Sequence, residues 1–403
     1  MRILYFTRDY TPHDHRFLTT MVKQELPESG NHPLEIFSLR LERRGLQRED
    51  RPFPPEVRQI LWKGGTRPIT WRNFPTLLLD LRRVIDHEKF DLIHAGPIQS
   101  AAFLAALSGF RPLVSMSWGS DLLKDADRNW WLRWVTRFTL QRTSVLIGDC
   151  QAVARKAMAF GYPEERIVLF PWGVDLEQFS PPQNPSMQVQ DSPAFQQVAR
   201  EGQRFVLLSV RSWEPVYGVD LVVKAFALAA QQIDGLHLVL LGGGSQAGYI
   251  RQILLQHDLM DQVTFAGQVK NYQLPDYYRS SDLYISASHS DGSSVSLMEA
   301  LACGCPVLVS DIPGNREWIT HGEQGWLFPD HDAVALAQGI VQAVRQPEKL
   351  PDMRRKARVL AEQRADWKKN SQQLLRAYQL ALSSPHPPGL WLKDRKNRQD
   401  LSV

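Results

Sequence analysis
The chain has 403 residues, of which 43% are hydrophobic and 22% charged, and its formal net charge is +4. That length exceeds what one hydrophobic core normally supports and the composition is that of a soluble globular protein, so two domains are expected and a fibrous or disordered chain is excluded. The small positive excess, unaccompanied by any recognised binding motif, argues against a nucleic-acid partner, and no apolar run approaches the ~18 residues of a membrane span.

Met1 to Phe6 is too short for a signal-peptide core and reads as a first strand. Three cysteines, Cys150, Cys303 and Cys305, form no even framework, and Cys303-x-Cys305 has the wrong spacing for zinc. They read as buried, reduced thiols of a cytoplasmic protein.

Apolar runs at Ile3–Thr7, Leu34–Leu39, Asp91–Ala95, Leu113–Trp118, Val145–Asp149 and Ile167–Phe170 predict buried strands. Helical patterns lie between several of them, at Pro75–His87 and Ala101–Ser108. After the first strand, Arg8 to Arg16 reads as a charged loop offering His13, Asp14, His15 and Arg16 as hydrogen-bonding groups. His94 ends a strand, where it either faces a ligand or is a satisfied structural residue. Leu123–Ser144 carries Arg128, Trp130, Trp131, Arg133, Trp134, Arg137, Phe138 and Arg142. Either its aromatic rings pack inward while the arginines face water, or it lies in a membrane interface, where such rings and cations are favoured. Residues 1–175 hold 25 Lys and Arg against 20 Asp and Glu, an excess compatible with an anionic acceptor or a membrane surface.

Ser180 to Pro193 is polar and proline-rich, a linker or surface insertion. Beyond it the plan repeats, with strands at Phe205–Val210, Leu236–Leu241, Val263–Ala266, Leu283–Ala287 and Pro306–Ser310. Helical runs at Val219–Gln232, Tyr249–His257 and Ser294–Leu301 separate them. Strands alternating with helices in both halves predict an α/β fold of two doubly wound domains in tandem, each a parallel sheet covered on both faces. Leu241-Gly-Gly-Gly-Ser245 is either a tight strand-to-helix turn or a place where backbone amides, Gly243 among them, approach a phosphate.

Ser290 to Asp311 carries the most chemistry. It sets two carboxylates, Asp291 and Glu299, on either side of a Gly292-Ser293-Ser294 turn that opens a helix, and an apolar strand follows. The amides of a helix N-terminus attract phosphate, and carboxylates accept hydrogen bonds from sugar hydroxyls. Together they describe a pocket for a nucleotide-sugar. Asp291 taken alone would be an ordinary helix cap.

The segment resembles retaining glycosyltransferases of family 4, whose Glu-x7-Glu pattern runs into Glu-Ala-Met-Ala-x-Gly-x-Pro-Val; here it reads Asp291-x7-Glu299 followed by Ala300 to Val307. The match extends to Asp311–Glu317, Gly325–Phe328, Val263–Gly267 and Tyr277–Ile285. This resemblance implies a GT-B fold of two facing Rossmann-like domains with a crevice between them. The domains are expected at 1–175, for the acceptor, and 203–365, for the nucleotide-sugar. A linker over 176–202, a closing helix over 366–382 that crosses back to the first domain, and a tail over 383–403 complete the plan, with Pro171–Asp175 as hinge.

The same resemblance assigns the residues. Glu299 would hold the ribose and Asp291 the sugar hydroxyls, while the amides of Gly292, Ser293, Ser294, Val295 and Ser296 meet the diphosphate and Val269 lies beside the base. The family's diphosphate-binding Arg and Lys are replaced by Ser212 and Tyr217, which leaves Arg211, one position earlier, as the cation for the leaving group. The family's strand-end His is replaced by Trp118. Asp121 matches an acid that orients acceptor or donor, with helix capping as its rival, and Asp14, Arg16 and His94 complete the acceptor side. Retaining transfer without a metal or other cofactor is implied, from a UDP-, GDP- or ADP-sugar to a glycan, a lipid-linked or a small-molecule acceptor. Localisation would be cytoplasmic, with peripheral contact to the inner membrane face through 123–144. A sugar-nucleotide epimerase of related fold and a non-catalytic nucleotide-sugar-binding protein are the alternatives.

Overall fold
The computed structural model describes residues 1–23, 34–41, 49, 51–64, 73–182 and 205–383. Most of the expected linker and the tail from residue 384 therefore lie outside the described residues. The chain forms two compact units, one of Met1–Asp149, Val153–Phe170 and the chain from Ser371, the other of Cys150–Ala152 and Pro171–Asn370.

In the first unit the strands are β1 (Arg2–Thr7), β2 (Glu35–Arg40), β3 (Arg58–Gln59), β4 (Leu92–Gly96), β5 (Leu113–Met116), β6 (Val145–Gly148) and β7 (Ile167–Leu169). They pair in parallel in the order β3-β2-β1-β4-β5-β6-β7. All five residues of β4 are buried, as a strand with helices on both faces must be. One face packs Leu4, Phe6, Phe37 and Ile93 against Leu77, Leu81 and Ile85 of the helix Phe74–Glu88. The two-residue β3, fully exposed, is too short to leave an apolar signature in the sequence.

The second unit repeats the plan with β8 (Phe205–Val210), β9 (Leu236–Leu241), β10 (Val263–Gly267), β11 (Leu283–Ser286), β12 (Val307–Ser310) and β13 (Gly325–Phe328). These too are all parallel, in the order β10-β9-β8-β11-β12-β13. The helices Val219–Ala230 and Ala333–Arg345 cover one face around Phe226, Leu238, Leu308 and Ile340. The helix Val295–Ala302 is buried nearly all round, which explains its apolar composition apart from Ser296 and Glu299. Gly304, at a left-handed φ of +69°, turns the chain out of it towards β12. Cys150, Cys303 and Cys305 are buried free thiols, and burial pushes the Cys305 thiol up to about 12.

Two local expectations change. The segment after β1 is no loop from residue 12 onward: Pro12–Met21 is a helix with Pro in its first turn and a Thr11/Asp14 capping box. The expected last helix is divided at Ser371 into Trp367–Asn370 and Gln372–Ser383, and the second piece belongs to the first unit.

Candidate functional site
In the second unit, β8 ends at Val210 and delivers Arg211, whose side chain turns inward onto the first turn of Val295–Ala302. Its Nη1 donates to Ser294 Oγ at 2.9 Å and Ser296 Oγ at 3.0 Å, and its Nη2 meets Asp291 Oδ2 at 2.5 Å. The Tyr217 ring lies 4.3 Å from the guanidinium carbon, and Tyr284 OH reaches Ser296 Oγ at 2.8 Å. Arg211 and Asp291 are 10% and 19% exposed, so water screens this ion pair weakly. Burial opposes the charge on Arg211, but Asp291 outweighs it and the guanidinium pKa rises, so the cation persists. Arg211 Nε is buried without a partner.

A cation at a helix N-terminus sits against the dipole, and Asp291 offsets that cost. The result is a concentration of N–H donors and positive potential around the first-turn amides, suited to an anion. One turn further on, Glu299 is buried and accepts from Tyr278 OH at 2.8 Å through Oε2. Burial, then the neighbouring Glu299, holds the Tyr278 hydroxyl well above the usual tyrosine range, which keeps it a donor.

Close backbone packing holds this loop in place. A Cβ on Gly314 would fall 2.4 Å from Gly292 O and 2.5 Å from Asp291 O, and one on Gly218 would fall 2.1 Å from Ala287 O. The glycine turn after β9 divides by position: a Cβ on Gly242 or Gly244 would strike Arg211 O or Trp213 O, whereas Gly243 faces open space. Gly243 O accepts from Trp213 N at 2.9 Å, so the turn holds the residues beside Arg211 in place. Val269 lies half-buried just beyond β10.

Comparison with known proteins now bears on this arrangement. A model described as "Glycosyl transferases group 1" matches residues 191–360, and one described as "Glycosyltransferase Family 4" matches residues 18–178. The chain belongs to this glycosyltransferase family. It is 29% identical over 249 residues to D-inositol 3-phosphate glycosyltransferase of Gordonia bronchialis, covering 59% of this chain and 53% of that protein. It is 25% identical over 287 residues to the GDP-mannose-dependent alpha-(1-6)-phosphatidylinositol monomannoside mannosyltransferase of Mycobacterium tuberculosis, covering 66% of this chain and 70% of that one. The crystal structure of Anabaena HepE in complex with UDP and glucose shares the fold, with a TM-score of 0.74 at 20% identity over 94% of this chain and 99% of that one. The fold is of the GT-B type.

Against the family's pattern, Tyr217 stands where a lysine is usual, and its ring supports Arg211 rather than adding a second charge. In the first unit this glycosyltransferase seals residues that the sequence reading places at an acceptor. Asp14 is buried, accepting from Tyr5 OH at 3.0 Å and from Thr11 N and Oγ at 2.8 and 2.5 Å, and burial raises its pKa to about 6. His94 lies within β4, fully buried, with Nδ1 2.8 Å from Tyr378 OH, and burial lowers its pKa to about 3. Asp121 accepts from Ser117 Oγ, Trp118 N and Leu122 N on Oδ1 and from Ile98 N on Oδ2. Those four donors occupy the lone-pair positions of a carboxylate. Asp14 and Asp121 are therefore corrected from exposed acceptor or catalytic groups to buried ones held by hydrogen-bond donors, and His94 to a fully buried group held by Tyr378 on Nδ1, with its Nε2 buried and unpartnered. Trp118 and Arg16 stay half-buried, and the Trp118 ring lies 5.0 Å from that of His13.

Tyr278 and Tyr284 lie in the matched segment Tyr277–Ile285, but the motif assigns them no role. A buried tyrosine hydroxyl seeks a partner, but only the folded strand and helix show that these partners are Glu299 and Ser296.

Proposed function
We propose that this glycosyltransferase transfers a sugar from a nucleotide-sugar to a glycan, lipid-linked or small-molecule acceptor, with retention at the anomeric carbon and without a metal in the chemistry. The observation that carries the reading is the Arg211 guanidinium held against the first turn of Val295–Ala302, its Nε unpartnered.

In this mechanism the diphosphate rests on the amides of Val295 and Ser296, and Arg211 balances the charge that grows on the leaving oxygen. Asp291 fixes Arg211 with one oxygen and receives sugar hydroxyls on its remaining lone pairs. Glu299, oriented by Tyr278, accepts from the ribose hydroxyls. The acceptor hydroxyl attacks from the face the diphosphate leaves, and a departing phosphate oxygen takes its proton, so no side-chain base is needed. UDP in a structural neighbour and GDP-mannose in a relative's name support a nucleotide-sugar donor.

Nucleotide release from UDP-, GDP- and ADP-sugars, followed with and without acceptor, tests the reading, with the product's anomeric configuration read by NMR. Acceptor-dependent release with a retained anomer is expected; an inverted anomer, an epimerised donor or binding without turnover overturns it. Glu299→Gln should weaken donor binding about tenfold, since a charge-assisted hydrogen bond becomes a neutral one.

A lipid-linked acceptor is favoured by the helix Trp130–Arg142. Trp130 is 80% exposed, and the rings Trp130, Trp131, Trp134 and Phe138 contact one another in series at centroid distances of 6.1, 5.1 and 5.2 Å. Lys124, Arg128 and Arg137 are exposed around them. Self-stacked indoles flanked by cations suit the interface of an anionic bilayer. No helix among the described residues is long and apolar enough to cross a membrane. The chain should sediment with anionic phospholipid vesicles and not with zwitterionic ones, and Trp131→Ser/Trp134→Ser should remain in the supernatant. Equal pelleting of both forms removes the membrane role.

A further inference from the structure
The geometry points to a second site in this unit: His289, Asp330 and His331 form a binding site for a divalent transition-metal cation of the zinc class, beside the loop that carries Asp291. One ligand atom from each lies within 4.8 Å of the others. They come from two loops, His289 from the segment after β11 and the other two from the turn after β13, 41 residues later for the His289–Asp330 pair.

Two of the three are already held. His289 Nδ1 and Asp330 Oδ1 are 2.7 Å apart, and His331 N also donates to Asp330 Oδ1 at 2.8 Å. His289 N donates to Val216 O at 2.9 Å, which ties this loop to the residue before Tyr217. The third ligand is exposed: 72% of the His331 side chain is accessible, with Nε2 3.5 Å from Asp330 Oδ2. Its backbone φ of +64° turns the ring over His289, where the two imidazoles stack at 3.8 Å and 12°.

Stacked rings point their in-plane lone pairs along parallel planes, so coordination requires the exposed His331 ring to rotate about its side-chain torsions. Two imidazoles and one carboxylate are the donors of zinc-like ions, which complete a tetrahedron with water. Magnesium and calcium prefer all-oxygen sites. A dication takes both imidazole nitrogens and the carboxylate charge at once. Bound there, the ion joins the Asp291 loop to the turn after β13 and stiffens the donor loop; the transfer chemistry does not pass through it.

The test uses tag-free full-length protein titrated with Zn2+, Co2+ and Mg2+. One Zn2+ per chain, a rise in the thermal midpoint and tetrahedral Co2+ absorption bands are expected, with no response to Mg2+. His331→Asn keeps a residue tolerant of the left-handed conformation and sits on the surface, so it should fold. It should lose affinity by about tenfold or more, as losing a ligand costs at least what losing an outer-shell partner does. No Zn2+ binding by the wild type, or binding by His289→Ala and His331→Asn as tight as that of the wild type, overturns the site and leaves a plain His–Asp pair. Either result leaves the transferase reading standing.

Discussion
Asp121 in the first unit and Asp291 in the second carry the same sequence cue, an acid at the opening of a helix that follows a strand, yet they end in opposite states. Asp121 is buried with three donors from its own loop and a fourth, Ile98 N, from the segment after β4. Asp291 keeps 19% exposure and is matched to the guanidinium of Arg211. The difference lies in who the partners are. Backbone amides and a serine satisfy both oxygens of Asp121 and leave nothing over for a ligand. A cation brought from another strand holds Asp291 while leaving lone pairs and an unpartnered Nε in the same place. Motif position alone does not separate a cap from a ligand group.

The same substitution should therefore read out differently at the two positions. Asp291→Asn should lower turnover about a hundredfold, because Arg211 and the sugar lose their common anchor. Full activity in Asp291→Asn would break the comparison. Asp121→Asn should cost about 2–3 kcal/mol in a urea titration, since the amide turns donors towards the amides of Ile98, Trp118 or Leu122. A melting curve like that of the wild type would show that Asp121 is not the sealed cap described.

The smallest effect lies in pH dependence, where the sealed first unit holds two groups of opposite sign. His94 is lowered from 6.5 to about 3, so the unfolded chain binds the proton first and stability falls as pH drops through that window. Asp14 is raised from 3.8 to about 6, so the folded chain binds its proton first and stability falls as pH rises between those values. Each contributes at most about 1.4 kcal/mol per pH unit, and between pH 4 and 6 they partly cancel. Asp14→Asn should steepen the acid loss of stability, and His94→Phe should flatten it. Unchanged slopes in both would place these groups in contact with water.

Much of the fold is readable along the chain because buried parallel strands need continuous apolar runs, as at Leu236–Leu241 and Val307–Ser310. Failures came where that period was short or hidden. Arg58–Gln59 has two exposed residues, and the helix Pro12–Met21 carries charged and polar residues through its first turns. The Asp291-to-Val307 segment reads as a candidate site because helix-end amides and both acids lie within one local stretch.

Local periodicity, then, determined the two α/β units, and the motifs around Asp291–Val307 carried the resemblance to the family. Tertiary structure decided which polar atoms are spent and which remain: Arg211 turned onto the helix at Val295, His94 closed in by Tyr378, and His289 brought to Asp330. The physical reason is range. Strand and helix patterns repeat over a few residues, whereas a buried polar group takes its charge and its use from partners tens to hundreds of residues away.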